Sequence, residues 1–131
     1  MAKVLIINDE KGLSALLGHF LTSVGHSVTI AGNSFESLIW LNLAPFDLVV
    51  MDVNEIGSEK LEFCRRVKGY PQSAKTRVLV LGEAPCIERP AVDAGADAFL
   101  AEPLSLEQIK GLVVNLTRNY FAEEVSWELV A

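Results

Sequence analysis

The sequence predicts an α/β domain, a doubly wound five-stranded parallel sheet in the order 2-1-3-4-5 with helices on both faces. Three observations lead there. Short branched apolar runs alternate strictly with stretches of helical spacing, and the connections are long enough to be crossover helices. The run from Leu48 to Met51 is apolar at every position, as a strand covered on both faces must be. Two such runs then end in acids: Val4–Ile7 in Asn8, Asp9 and Glu10, and the central run in Asp52. In doubly wound sheets ligands lie outside the carboxyl ends of the strands, where the strand order reverses. For this order that point lies between the first and third strands, the two that carry the acids. Paired carboxylates at a sheet rim suit a hard cation.

Taken in order, Lys3–Asn8 reads as the first strand. Gly12–Val24 is a helix with Leu13, Leu16, Leu17, Phe20, Leu21 and Val24 on its apolar stripe, closed by Gly25. His26–Ala31 is a β-branched strand. Asn33 and Glu36 have the capping-box offset and open a helix through Leu38, Ile39, Leu41 and Leu43, which Pro45 stops. After the central strand and Gly57, Glu59–Lys68 forms a helix buried through Leu61, Cys64 and Val67. Arg77–Leu81 is the fourth strand, Ile87–Ala94 a weak helix ended by Gly95, and Ala98–Ala101 the fifth strand. Leu104, Ser105, Gln108 and Ile109 combine staple, cap and box for a last helix to about Phe121.

Composition narrows the function classes. At 131 residues, half of them hydrophobic, the chain can build one core. A net charge of −6 without a Lys/Arg cluster argues against a nucleic-acid or anionic-membrane footprint. Cys64 and Cys86 lack metal-ligand spacing and read as reduced thiols of a cytoplasmic protein, Cys86 as an inert one. No run approaches 18 apolar residues, and the amino terminus lacks a signal-type apolar stretch. His19 and His26 read as solvated, and Trp40 and Phe63 as core or core-edge residues.

Four fragments, VLIINDE, FDLVVMDVN, LEFCRRVK and AGADAFLAEP, stand in an order and spacing that resembles the receiver domain of bacterial two-component response regulators, a flavodoxin-like (βα)5 fold. The resemblance covers residues 1–121 and leaves 122–131 as a C-terminal extension. It implies that Asp52 is the phosphoacceptor and a metal ligand, that Asp9 binds Mg²⁺ directly, and that Asn54 gives its backbone carbonyl. Asn8 and Glu10 would support the acidic pocket. Phe99 would be the aromatic switch, with Pro103 beside it on the output face after a cis Glu102–Pro103 bond. Implied partners are a sensor histidine kinase or a downstream signalling protein, with a homodimer through the last helices or the tail as a further expectation. Nucleic acid and membrane are not expected partners, and the module is not expected to be an enzyme.

The departures from the family pattern bear on the chemistry. Gly82 stands where the family has a hydroxyl residue, and Glu102 where it has a lysine. Losing a charge-assisted donor costs roughly 1.5–3 kcal/mol. Exchanging an ammonium for a carboxylate changes the local charge by two units, and each unit pair at ~4 Å is worth about 4 kcal/mol at an effective dielectric near 20 and about 1 in water. The pattern thus keeps the acids for a cation, with Mg²⁺ weakly bound or absent, and loses both side chains that grip a phosphoryl group. Glu102 itself reads as a surface acid. The expected function is an atypical stand-alone receiver in phosphorelay signalling. The alternatives are a phosphorylation-independent pseudo-receiver and, ranked last, a metal-dependent phosphohydrolase.

Overall fold

The computed structural model describes residues 2–7, 11–53, 59–83 and 85–117, the side chains of 11–13 excepted. Its elements are β1 (Lys3–Ile7), α1 (Lys11–Ser23), β2 (Ser27–Ala31), α2 (Ser34–Leu43), β3 (Leu48–Val53), α3 (Glu59–Gly69), β4 (Arg77–Gly82), α4 (Glu88–Asp93) and β5 (Ala98–Ala101). A last helix, α5, is described over residues 106–117. The five strands are parallel in the order β2-β1-β3-β4-β5. Strict alternation of strand and helix leaves this doubly wound arrangement as the way to bury both sheet faces with right-handed crossovers.

Alternate residues of each strand feed two cores. Leu5, Ile7, Val49, Met51 and Val53 meet Leu41 of α2, Phe63, Cys64 and Val67 of α3, and Ala91 of α4. Val4, Ile6, Leu48 and Val50 meet Leu17 and Leu21 of α1 and Ile109, Val113 and Leu116 of α5. β3 is buried along its whole length, as its unbroken apolar run requires.

The local signals set the ends of the elements. Asn33 Oδ1 accepts from the Glu36 amide at 2.7 Å, while Glu36 Oε1 reaches back to the Gly32 amide at 3.3 Å, one residue short of a reciprocal capping box. Gly25 and Gly95 take positive φ, 102° and 98°, where a side chain would be strained. Ser105 caps α5 through the Gln108 amide at 3.4 Å.

The stripe expected on α1 is displaced. Leu17 and Leu21 are buried as expected, but Leu16 is 51 % exposed and Val24 37 %, while Ser14 is buried. Gly18 explains the rotation. A Cβ there would stand 3.0 Å from Ile30 Cδ1, so the glycine lets α1 settle on β2 along a face that includes it. Leu13 lies outside the described side chains. Phe63 is core as expected, but Trp40 is exposed on α2. His26 is half-buried rather than solvated, and its Nδ1 accepts from the Ala2 amide at 3.3 Å. Burial, and after it the positive amino terminus, hold its pKa below the usual imidazole value. His19 is exposed. Among the described residues no helix is long and apolar enough to cross a membrane.

Candidate functional site

The sheet register brings the ends of β1 and β3 together. Ile7 lies opposite Met51, so β1 reaches the carboxyl edge one step before Asp52. Asp52 follows on β3 and is 2 % exposed. A carboxylate at this depth is held by the fold, since the backbone on both sides of it is fixed in the β3–β4 ladder through Asp52 opposite Leu81 and Val53 opposite Gly82. The expected companions Asn8, Asp9, Glu10 and Asn54 lie outside the described residues.

A residue that the sequence reading passed over enters here. Lys60, in the first turn of α3, is only 8 % exposed, and its Nζ donates to the Asp52 carbonyl oxygen at 2.8 Å. The chain leaves β3, turns into α3 and folds a lysine back onto the strand it came from. The signal was in the helical spacing: Lys60, Phe63, Cys64 and Val67 share one buried face of α3, so the lysine occupies a core position. Its methylene stem lies with the apolar face and its ammonium reaches the rim.

The hydroxyl position is closed as well as vacated. A Cβ on Gly82 would stand 2.8 Å from the Val53 carbonyl oxygen, 3.0 Å from Ile87 Cγ2 and 3.1 Å from Ile87 Cβ. Ile87 is 2 % exposed, and its amide bonds to the Glu83 carbonyl at 3.0 Å, which turns the β4–α4 segment inward. An isoleucine thus packs against the place where a hydroxyl would project. Sequence spacing could have flagged Ile87, an apolar residue just before a short helix, but not its contact with Gly82.

On the far side of β4, the Glu102 amide donates to the Gly82 carbonyl at 2.8 Å, so the strand pairing continues one residue past β5. Glu102 is half-buried at this edge. The Glu102–Pro103 bond is cis, as expected. Phe99 is half-buried against the core of the α2–α4 face, and Pro103, after β5, is exposed. Both cysteines are free thiols. Cys64 is deep in the core, where burial above all, with the Asp97 carboxylate adding to it, pushes its thiol pKa up to about 11.

A buried acid at the switch point of a 2-1-3-4-5 sheet, with an aromatic on β5 and an Xaa-Pro turn after it, defines a doubly wound domain with its candidate site at the carboxyl edge. The comparisons give the family. The model of the response regulator receiver domain matches residues 4–114, and the chain belongs to that family. The transcriptional regulatory protein TcrA of Mycobacterium tuberculosis is 30 % identical over 118 residues, 88 % of this chain and 46 % of that protein. The chain therefore spans about half the length of the curated relatives it matches. The chemotaxis response regulator CheY4 of Vibrio cholerae superposes with a TM-score of 0.79 at 27 % identity, covering 88 % of this chain and 98 % of that one. The receiver domain of a signal transduction histidine kinase from Syntrophus aciditrophicus gives 0.82 at 25 % identity, covering 91 % and 92 %.

A divalent ion at this edge needs hard oxygen ligands. Among the described residues no three His, Cys, Asp or Glu side chains gather as metal ligands. The buried Asp52 carboxylate is itself a hard oxygen ligand of the kind such an ion takes. A receiver domain of a Pseudomonas aeruginosa sensor histidine kinase, 14 % identical with a TM-score of 0.79, carries magnesium in its active-site cleft and shares the fold. What Asp52 offers fits a hard cation.

Proposed function

We propose that this receiver domain works in phosphorelay signalling as an atypical member, with Asp52 as phosphoacceptor and protein–protein contact as its output. The observation that carries the reading is the position of Asp52, buried at the carboxyl end of β3 where β1 ends beside it. In this reading Asp9, Asp52 and the Asn54 carbonyl hold Mg²⁺, with Asn8 and Glu10 on the rim. The ion, when bound, neutralises charge between the carboxylate and an incoming phosphoryl group. Asp52 supplies the nucleophilic oxygen, and the β3–β4 ladder fixes its approach. Gly82, closed by Val53 and Ile87, contributes no side-chain donor, and Glu102 adds negative charge on the same edge. Phosphoryl occupancy is therefore lower than in a receiver with both clamping side chains. A sensor histidine kinase is the proposed donor, and the face carrying Phe99 and Pro103 the proposed output surface. The module is not proposed to turn over substrate.

The test is a titration with Mg²⁺ and acetyl phosphate, or with beryllofluoride, followed by amide NMR. The expected result is shifts around Asp52 and Phe99 that vanish in Asp52→Asn. Spectra unmoved by either donor would remove Asp52 as phosphoacceptor. The second reading, a pseudo-receiver whose partner binding does not depend on phosphorylation, would then stand, and the packing of Ile87 against Gly82 favours it.

A further inference from the structure

The feature that neither the family pattern nor the proposed mechanism uses is the buried amine. Lys60 is 8 % exposed, sits in the first turn of α3, and anchors its Nζ on the Asp52 carbonyl at 2.8 Å. An ammonium held on a residue's own carbonyl oxygen is tied by covalent geometry to within about 8 Å of that residue's carboxylate. The anchor is stiff. Lys60 shares the packed face of α3 with Phe63, Cys64 and Val67, so the stem cannot swing into solvent without opening that face. A lysine ammonium is also a compact point charge, which resembles a small metal ion more closely than a guanidinium does.

We propose that Lys60 is a tethered monocation of the Asp52 pocket and competes there with a divalent ion. Mutual repulsion between a fixed ammonium and an entering Mg²⁺ raises the dissociation constant of the ion. A site so arranged has its charge partly balanced with no metal bound. The inference rests on the reading of Asp52 as the acid of a cation site, and its test reads metal binding apart from the response to beryllofluoride.

The experiment is an NMR titration with Mg²⁺ alone, repeated with trace Mn²⁺ as a paramagnetic probe, on the wild type, Lys60→Met, Lys60→Arg and Asp52→Asn. Amide dispersion before titration establishes that each variant folds. Lys60→Met keeps the stem and removes the charge, and it should bind Mg²⁺ about tenfold or more tightly than the wild type, the scale of a unit charge at this range. Lys60→Arg keeps the charge and should remain as weak as the wild type. Mn²⁺ should broaden amides next to Asp52 in Lys60→Met at concentrations that leave the wild type sharp, and not in Asp52→Asn. Equal, measurable affinity in wild type and Lys60→Met would overturn the role of Lys60 and leave Asp52 as phosphoacceptor intact. Weaker binding in Lys60→Met would overturn it also. Tighter Mg²⁺ binding in Lys60→Met together with spectra deaf to beryllofluoride would uphold the tethered cation and remove the phosphoacceptor. Absence of binding in every variant would remove both.

Discussion

The two ends of the sheet each hold an acid with a lysine from α3 beside it, and they use the pair differently. At the amino end Asp97, just before β5, is saturated: Lys68 Nζ lies 2.9 Å from Oδ2, Arg77 Nη1 3.4 Å from Oδ1, and the Val78 amide donates to Oδ2 at 2.8 Å. Lys68 also donates to the Thr76 carbonyl at 3.0 Å, so one carboxylate ties α3, β4 and β5 together. At the carboxyl end Lys60 reaches Asp52 through the backbone carbonyl. The first arrangement locks the carboxylate into the frame; the second ties α3 back onto the strand that carries Asp52. The described lysine contact falls on the carboxylate at Asp97 and on the backbone carbonyl at Asp52.

The largest effect that would break this contrast belongs to Asp97. Asp97→Ala strips two partly buried cations and the Val78 amide of their acceptor, and should cost about 3 kcal/mol in urea unfolding with little change in slope. A loss below about 1 kcal/mol would show that the amino-end cluster is only surface pairing. Next comes Gly82→Thr, the substitution that would restore the family's hydroxyl. Its Cβ meets the Val53 carbonyl, which belongs to a strand and cannot yield, so the variant should lose about 2 kcal/mol and gain no beryllofluoride response. A stable Gly82→Thr with restored response would mean that Ile87 and the β3–β4 edge move aside easily.

Asp52→Asn sharpens the comparison from the other side. Asparagine keeps the carbonyl that Lys60 uses and removes a buried charge, so stability should change by less than about 1 kcal/mol. A loss as large as that of Asp97→Ala would place Asp52 among the structural acids.

The smallest effect is at His26, also on the amino end. Its folded pKa lies below the unfolded value, so the unfolded chain binds the extra proton more readily. Its contribution to stability is complete above about pH 6.5 and is lost as the pH falls through that value toward the depressed folded pKa. Urea midpoints of the wild type should therefore fall from pH 7.5 to 5.5 by more than those of His26→Asn. Parallel midpoints would show that the Ala2–His26 bond does not resist protonation.

Much of this was legible in the chain. Strict alternation, the unbroken β3 run and the glycines after α1 and α4 specified a parallel sheet covered on both faces, since each depends on residues near in sequence, and the family resemblance carried the strand order. Asp52 was legible for the same reason, as an acid closing an apolar run. Leu16 was misread because the orientation of α1 depends on the space beside Gly18, which belongs to a contact with β2. His26 was misread because its amide partner is Ala2, 24 residues earlier. Lys60 was missed because a lysine in a helix reads as solvated until the strand it folds back upon is in place.

Taken alone, then, the sequence determined the fold class, the family resemblance and the place of Asp52 at the end of an apolar strand. Tertiary structure decided what surrounds that position: an isoleucine against the hydroxyl site, a half-buried Glu102 and a lysine on the strand carbonyl. The physical reason is range. Periodicity, caps and turns are settled by neighbours along the chain, whereas a pocket's charge and free volume are settled by side chains that only the packed sheet brings within a few ångström.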